Sequence, residues 1–229
     1  MSRRFLAFPI AFPRQRGDLI EMRFASRQEA GRRLGLFLHD HEIRADVVLG
    51  LPRGGVVVAA EVARALQVPL DVLIVRKIGH PLHREFAVGA LAEPDVVVLD
   101  DRILTRSPLI RLELDEVVDE EKRRLKSYQG KFHRAGLPPL EGKDVLLVDD
   151  GLATGATTEA AVLSVRKQGA HRIIVAAPVA SLSAAERLRR IADDVQVLYV
   201  DAEFEAVGAY YDEFSQTTDE EVLQLLQAA

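Results

Sequence analysis

The chain has 229 residues, 48% of them hydrophobic and 28% charged, which is enough to bury the core of one large domain. This composition excludes a disordered chain, and the net charge of -5 excludes a global basic surface for nucleic acid. No apolar run is long enough to cross a bilayer, and without cysteine there are no disulfides, thiolate metal sites or cysteine nucleophile. We therefore expect a cytoplasmic protein that binds neither membranes nor nucleic acid.

The N-terminal residues form a separate question. Met1–Phe12 loosely resembles a signal peptide, but Pro9 interrupts its apolar stretch and no small-residue cleavage site follows. We interpret residues 1–21 as a loose arm or as an extension from an early start codon, with Met22 as the alternative start. Residues 22–229 are predicted to form a single domain.

From Met22 onward, helix and strand signals alternate. Capping-box sequences predict helix starts at Ser26, Ser183 and Thr218, and apolar periodicity predicts helices after Gly54-Gly55 and over Thr158–Gln168. Short apolar runs predict six strands: Val47–Leu51, Val72–Val75, Val96–Leu99, Val145–Val148, Ile173–Ala177 and Val195–Val200. This alternation predicts an α/β fold, a doubly wound, mostly parallel sheet with helices on both faces.

One segment breaks the alternation. Residues 76–140 contain a charged helix, predicted over Pro108–Tyr128. A long excursion at the ligand edge of a sheet is often a lid, and an ordinary insertion packed on the flank of the domain is the alternative.

The strongest functional signal follows the fourth predicted strand. Asp149 and Asp150 end that strand, and a loop rich in small residues and threonine leads from them into a helix. Small residues let a ligand approach the backbone, N–H groups at a helix N-terminus bind anions, and carboxylates accept bonds from sugar hydroxyls or face a magnesium shell. The pattern therefore suits a sugar phosphate. The residues of its anion-binding part are Ala153, Thr154, Gly155, Ala156, Thr157 and Thr158.

Three other phosphate-related motifs do not fit this loop. A Walker A loop requires Gly-Lys-Ser/Thr, and a dinucleotide-binding loop requires G-x-G-x-x-G after a strand, and neither sequence occurs. A response-regulator receiver also has an acidic pair, but it needs a phosphoacceptor aspartate after a later strand. Here the fifth predicted strand ends in Ala177-Pro178.

Basic residues follow the first two predicted strands. Arg53 precedes Gly54 and Gly55, which open a helix with free N–H groups, and a guanidinium binds phosphate in a bidentate manner. Arg76 and Lys77 follow the second strand. Because parallel strands end at one edge of a sheet, we expect these cations to face the acidic pair across one crevice. A tight turn with a surface arginine is the alternative at Arg53.

The acidic loop resembles a known motif. Val145–Thr157, VLLVDDGLATGAT, is similar to the thirteen-residue 5-phosphoribosyl 1-pyrophosphate (PRPP) motif of type I phosphoribosyltransferases, and departs from it at Gly151, where a branched apolar residue is usual. Leu51–Gly55 stands where that family keeps its pyrophosphate loop. With Val75–Leu91 and Phe204–Phe214, the chain resembles an uncharacterised bacterial subgroup of the family from about Met22 onward.

This resemblance implies an activity in nucleotide metabolism. Ribose 5-phosphate would pass from PRPP to an acceptor, expected to be a nitrogenous base, with release of pyrophosphate. The alternative is a PRPP-binding sensor or regulator without transferase activity. The implied cofactor is Mg²⁺, held by PRPP and water near the acidic pair rather than directly by protein ligands. We expect small-molecule partners and a chain that acts alone or as a homodimer.

The resemblance also implies roles for individual residues. The 5′-phosphate would lie in the Ala153–Thr158 loop, and the ribose hydroxyls on Asp149 and Asp150. The pyrophosphate would be bound by Arg53, Gly54, Gly55, Arg76 and Lys77. The catalytic set would be Arg53, Lys77, Asp149 and Asp150.

Two further expectations follow from the family pattern. The pyrophosphate loop commonly holds a non-proline cis peptide, so we expect one at or beside Arg53. Family members that use 6-oxopurines commonly carry aspartate where this chain has Ala153, which counts against that acceptor class.

The remaining candidates are weaker. Tyr210 and Tyr211 are predicted to contact the acceptor, because the family places part of its base-binding hood near the chain ends, and core packing is the alternative. His39–Glu42 contains two histidines and two acids, but it stands at the end of the first predicted helix, where a solvated polar end is the better interpretation.

Overall fold

A computed structural model describes residues 23–83, 87–99, 110–133 and 139–228. The predicted arm over residues 1–21 and the predicted start of the charged helix at Pro108 lie outside these residues. Across the described ranges, no helix combines the length and the apolarity that crossing a bilayer requires.

The helices and strands of these residues follow in chain order. They are α1 (Arg27–Asp40), β1 (Val47–Gly50), α2 (Gly54–Leu66), β2 (Leu70–Val72), β3 (Val75–Gly79), β4 (Ala87–Ala92), β5 (Val96–Leu99), α3 (Ile110–Phe132), β6 (Asp144–Val148), α4 (Ala156–Lys167), β7 (Arg172–Ser181), α5 (Leu182–Leu188), β8 (Asp194–Asp201), a 3₁₀ helix (Val207–Tyr210) and α6 (Asp219–Gln227).

The central sheet has five strands in the order β2-β1-β6-β7-β8, all of them parallel. One core cluster joins Val48 of β1 and Leu146 of β6 to α1 and α2, with α6 packed beside it. A second cluster joins Leu49 and Leu147, on the opposite face of the same strands, to α4 and α5. Helices therefore cover both faces of a parallel sheet, and the predicted α/β fold is confirmed.

The strand order reverses between β1 and β6. The chain passes from β1 to β2 on one side of this point and from β6 to β7 on the other. Val47 pairs with Val145 and Gly50 pairs with Val148, so the two strands end at the same level. Parallel sheets bind ligands at the carboxyl ends of their strands where the order reverses, which is where the loops after β1 and β6 lie.

A second sheet is antiparallel and consists of β3, β4 and β5. It packs against α3 and α6 through a core that includes Ile78, Leu91, Leu114 and Val222. This sheet follows the edge strand β2 of the central sheet directly, since β3 begins three residues after β2 ends.

One strand prediction was wrong in this region, and one strand was missed. The run Val72–Val75 was predicted as one strand, but it spans the end of β2 and the start of β3, which belong to different sheets. The strand β4 was not predicted, because its sequence AVGALA consists mainly of small residues.

The helix starts are set by side-chain caps. The Ser26 hydroxyl accepts a hydrogen bond from the Glu29 N–H (3.3 Å), and Thr218 and Glu221 form a reciprocal capping box, so both predictions are confirmed. The start predicted at Ser183 was wrong. The cap is Ser181, which accepts a hydrogen bond from the Ala184 N–H at 3.0 Å.

A buried cluster around Glu93 connects the second sheet to the rest of the domain. Glu93 lies in the β4–β5 turn and is fully buried. Its carboxylate accepts hydrogen bonds from the Ile74 N–H (2.7 Å) and from Gln129 of α3 (3.0 Å). His133 Nε2 lies 2.9 Å from Glu93 Oε1, and the Ser164 hydroxyl of α4 donates to the Glu93 carbonyl. Burial alone would lower the pKa of His133, but the hydrogen bond and charge of Glu93 raise it above its usual value.

We expect His133→Gln to lower the free energy of unfolding by about 3 kcal/mol near pH 6, because it leaves a buried carboxylate without its cation. A raised pKa in the folded state means that the contribution of His133 is complete below the ordinary value of 6.5 and is lost as the pH rises through the raised value. Urea unfolding should therefore show a larger difference between wild type and variant near pH 6 than near pH 9.

The matched control for this measurement is His171→Gln. His171 is an exposed histidine whose Nδ1 lies 2.7 Å from Asp144, so its replacement should change stability little at either pH. An equal effect of His133→Gln at both pH values would contradict the assigned role of the His133 charge.

Candidate active site

The loops that follow β1 and β6 touch each other. A Cβ atom added at Gly55 would come within 2.8 Å of Asp149 Oδ1, and one added at Gly54 would overlap with Asp150 Oδ2. Only glycine permits this approach, so the glycine pair and the acidic pair are fitted to each other. The structure thus brings Gly54 and Gly55, predicted for the pyrophosphate loop, against the two predicted aspartates.

The two aspartates of the acidic pair have different surroundings. Asp149 Oδ1 accepts a hydrogen bond from the Asp150 N–H at 2.9 Å. Burial, followed by the neighbouring charge of Asp150, raises the pKa of the Asp149 carboxyl well above its usual range. The charges of Lys77 and Arg27 act in the opposite direction. The pair therefore resists carrying two negative charges at once.

Arg27, the first residue of α1, is the charged partner of Asp150. Its Nε donates to Asp150 Oδ2 at 2.7 Å, and the two side chains are only 11% and 16% exposed. Its Nη1 donates to the Ser215 carbonyl at 2.7 Å, and its guanidinium carbon lies 3.8 Å from the centroid of the Phe214 ring. Arg27 was not among the predicted site residues, because nothing in the first turn of α1 indicates a partner 123 residues away.

The predicted phosphate loop forms the start of α4. Gly155 is the N-cap residue with a left-handed φ of +74°, a conformation that favours glycine, and it has no side chain to cap the helix. Ala153 and Thr154 are exposed, and Ala156 and Thr157 are half-buried. The helix start therefore presents backbone N–H groups and small side chains next to the acidic pair. The predicted role of the Thr158 hydroxyl is corrected, because Thr158 is 2% exposed and packs inside the domain.

Neighbouring elements fix the start of this loop. The Leu152 N–H donates to the Val179 carbonyl at 2.9 Å, and the Ser181 N–H donates to the Leu152 carbonyl at 2.8 Å. A Cβ atom at Gly151 would come within 2.5 Å of Val207 in the 3₁₀ helix. Val207 thus occupies the space that a branched residue at position 151 would need, which gives a physical reason for the departure from the family motif.

Two of the cations predicted for the pyrophosphate are Arg53 and Lys77. The Pro52–Arg53 peptide bond is cis, as expected for this loop. Arg53 precedes α2, and its Nη1 lies 3.7 Å from Asp219 Oδ1 at the start of α6. Lys77 is exposed on β3, and its charge acts on the Asp149 carboxyl. Lys131 also binds Asp219, at 2.5 Å, so one carboxylate of α6 holds two basic side chains.

Arg76 does not join the crevice. Its Nε donates to Glu121 Oε2 of α3 at 2.9 Å, and its guanidinium carbon lies 5.5 Å from the centroid of the Tyr128 ring. Adjacent residues of a strand point to opposite faces, so Arg76 and Lys77 face different surroundings. The pyrophosphate role predicted for Arg76 is therefore corrected to a role in attaching α3 to the second sheet.

The two tyrosines predicted to contact an acceptor are buried. Tyr210 is 6% exposed and its hydroxyl donates to Asp201 at 2.6 Å, while Tyr211 is 2% exposed and its hydroxyl donates to the Asp150 carbonyl at 2.6 Å. Burial is the leading cause that raises the pKa of both phenols. Neither ring offers a free face to a base, so the acceptor role is replaced by a packing role. For Tyr211, that role includes holding the main chain of the acidic pair.

In the part of the chain that the structure describes, no three histidine, cysteine, aspartate or glutamate side chains form a metal-binding group. His39 lies 3.6 Å from Asp40, and both side chains are exposed at the end of α1.

The contact between the glycine and acidic pairs can be tested directly. We expect Gly54→Ala to lower the free energy of unfolding by about 1–3 kcal/mol, because the added methyl group would displace the Asp150–Arg27 pair from Gly54. Gly130→Ala in α3 is the control, since a Cβ there meets nothing within 4 Å. That variant should be more stable than wild type by about 0.5–1 kcal/mol. Urea unfolding measures both, and a Gly54→Ala protein as stable as wild type would contradict the close approach.

Several known proteins are similar to this chain in sequence and fold. The family model described as "Phosphoribosyl transferase domain" matches residues 26–213. The chain is 42% identical over 207 residues to "Putative phosphoribosyl transferase Rv0571c" of Mycobacterium tuberculosis, a match that covers 90% of this chain and 47% of that protein. The chain therefore spans about half the length of the curated relatives it matches.

Solved structures agree with this similarity. The crystal structure of TT1426 from Thermus thermophilus is 44% identical, with a TM-score of 0.75, and the match covers 90% of this chain and 98% of that one. The AQ2163 protein from Aquifex aeolicus, at 15% identity and a TM-score of 0.51 over 87% of this chain and 91% of that one, shares the fold alone. With the family match extending over residues 26–213, which include both loops of the crevice, the chain belongs to the phosphoribosyl transferase domain family.

Proposed function

We propose that this protein transfers the 5-phosphoribosyl group of PRPP to a nitrogenous base in the cytoplasm and releases pyrophosphate. The observation that carries the proposal is the contact of Gly54 and Gly55 with the acidic pair where the strand order reverses. The glycine pair, the two carboxylates and the first turn of α4 then lie at one edge of the sheet, as a phosphorylated sugar requires.

In the proposed reaction, the bond from ribose C1′ to the pyrophosphate oxygen breaks, and pyrophosphate leaves with the electron pair. A nitrogen of the acceptor forms the new bond to C1′ and gives up its proton. The ribose passes through a state with positive charge, which Asp149 and Asp150 would stabilise as they hold its hydroxyls. Arg53, Lys77 and the N–H groups of Gly54 and Gly55 would stabilise the departing anion.

The 5′-phosphate would bind at residues 153–157, where the first turn of α4 presents its N–H groups and the Thr154 side chain is exposed. This anchor would hold the sugar in place while C1′ reacts. The tight β7 contacts of Leu152 support such a role, because they fix the loop before any ligand binds.

The proposed cofactor is Mg²⁺, which would neutralise charge on the pyrophosphate. Carboxylate oxygens suit this ion, and those of Asp149 and Asp150 are the candidates in the crevice. Since Asp150 Oδ2 is already bound by Arg27, we propose that the substrate and water supply most of the magnesium ligands.

We further propose that residues 22–229 act as one domain in which residues 76–140 form the hood over the site. Exclusion of water would protect the reacting sugar from hydrolysis. The antiparallel sheet supports this, because β3 carries Lys77, whose charge acts on the Asp149 carboxyl, and β4 and β5 extend the sheet from β3.

A specific observation favours a second function, a PRPP-binding sensor without transferase activity. Arg53, a basic side chain predicted for the pyrophosphate, is paired with a carboxylate of the chain itself, since its Nη1 lies 3.7 Å from Asp219 Oδ1. A sensor needs less leaving-group stabilisation than an enzyme, so it could leave this cation engaged.

The Asp150→Asn variant separates the two functions. If the protein is an enzyme, we expect kcat for pyrophosphate release to fall about 100-fold while the Kd for PRPP rises no more than about tenfold. The reason is that positive charge develops on the ribose only in the transition state. Calorimetry with PRPP and Mg²⁺ gives the affinity, and release of pyrophosphate with a panel of purine and pyrimidine bases gives the turnover.

Asp95→Asn is the matched control, because Asp95 forms an exposed ion pair with Lys167 outside the crevice. It should leave both quantities unchanged. Tight binding of PRPP by wild type without turnover on any base would establish the sensor. Failure to bind PRPP or ribose 5-phosphate would remove both functions.

The Arg53→Gln variant tests the pyrophosphate loop. We expect the affinity for PRPP to fall about tenfold, because one charge-assisted contact is lost, while the affinity for ribose 5-phosphate stays the same. Arg64→Gln on α2, the helix that Arg53 precedes, is the control, since Arg64 is exposed and paired with Glu61. Equal weakening of both ligands by Arg53→Gln would place Arg53 outside the pyrophosphate site.

A further inference from the structure

Asp150 is held from outside the loop to which it belongs. Its carbonyl accepts a hydrogen bond from the Tyr211 hydroxyl at 2.6 Å, and its carboxylate accepts one from Arg27 at 2.7 Å. The first contact fixes the main chain and the second fixes the side chain. Neither partner belongs to the loops after β1 or β6.

Arg27 is itself fixed in place by the residues that follow Tyr211. Its guanidinium lies over the Phe214 ring at 3.8 Å and donates to the Ser215 carbonyl at 2.7 Å. These contacts use the plane of the guanidinium and one of its terminal nitrogens, which leaves Nε directed at Asp150. A planar guanidinium bound at several points can adopt few orientations. It therefore holds its carboxylate partner more firmly than the ammonium group of a lysine would.

The segment that holds Arg27 is also hydrogen-bonded to Phe24, which precedes α1. Phe24 N–H donates to the Tyr210 carbonyl, and the Asp212 N–H donates to the Phe24 carbonyl, both at 2.8 Å. Phe24 and Tyr211 are fully or almost fully buried in one cluster. The start of α1 and residues 210–215 therefore form one rigid support beside the acidic pair.

We propose that Arg27 is a positioning residue that sets the carboxylate of Asp150 for the ribose, an inference that rests on the proposed function. A carboxylate has about four acceptor positions, so one bond from Arg27 leaves capacity for a sugar hydroxyl. Arg27 also offsets the negative charge of the two adjacent aspartates. It acts through Asp150 and makes no contact with the sugar.

The test is a double-mutant cycle on ligand affinity. Arg27→Met, Asp150→Asn and the combined variant are titrated by calorimetry with ribose 5-phosphate and, separately, with inorganic phosphate. We expect Arg27→Met to weaken ribose 5-phosphate about tenfold, and the combined variant to be no weaker than Asp150→Asn alone. Inorganic phosphate has no ribose hydroxyls and should bind all variants as it binds wild type.

The control is Arg33→Met, because Arg33 lies on the same helix, pairs with Glu29 and stacks on Phe24 at 5.3 Å without contacting the acidic pair. It should leave both affinities unchanged. Arg27→Lys, which keeps the charge and loses the fork, should bind ribose 5-phosphate with intermediate affinity. If Arg27→Met does not fold, Arg27→Lys replaces it in the double-mutant cycle.

Several results would overturn the proposal. Additive losses in the combined variant would mean that Arg27 acts independently of Asp150. An unchanged affinity of Arg27→Met for ribose 5-phosphate would mean that Arg27 has no part in ribose binding. A tighter affinity would mean that Arg27 competes with the sugar for Asp150. The proposed function fails separately, if wild type binds neither PRPP nor ribose 5-phosphate.

Discussion

Two adjacent carboxylates at the end of a buried parallel strand impose the main constraint on this domain. Desolvation and mutual repulsion both act against their charges, as the raised pKa of Asp149 reflects. The surroundings offset this with a backbone N–H on Asp149, with Arg27 on Asp150, and with a glycine pair that lets the neighbouring loop come into contact. These contacts let the acidic pair lie close to its neighbours while they offset the repulsion between its two carboxylates.

The sheet could be predicted because buried parallel strands consist of continuous apolar runs. β1 and β6 are recognisable in the sequence for this reason. The alternation of strands with helices along the chain indicates that the strands are parallel. The second sheet could be predicted only in part. No polar residue or glycine separates Val72 from Val75, so nothing local shows that the chain leaves one sheet and enters another there. β4 was missed because small residues give a weak apolar signal.

The site could be predicted where backbone and composition define it, and not where side-chain direction does. The roles proposed for the glycine pair and for residues 153–157 depend on residue type and on position in the chain, and both can be read from the sequence. The roles of Arg76 and Tyr211 cannot be predicted in this way, since the direction of each side chain depends on which distant element lies beside it. Arg27 shows the same limit, because its partner Asp150 and its support at Ser215 come from remote parts of the sequence. A lone arginine in a first helical turn carries no signal of such contacts.

The cluster around Glu93 has a mechanical consequence for the site. Glu93 is bound through its carboxylate to Ile74 and Gln129 and through its carbonyl to Ser164 of α4, the helix whose first turn forms the anion-binding loop. The base of the antiparallel sheet is therefore anchored to the same helix that starts at the crevice. Rotation of the whole sheet as a rigid flap would drag that helix along or break the buried bonds.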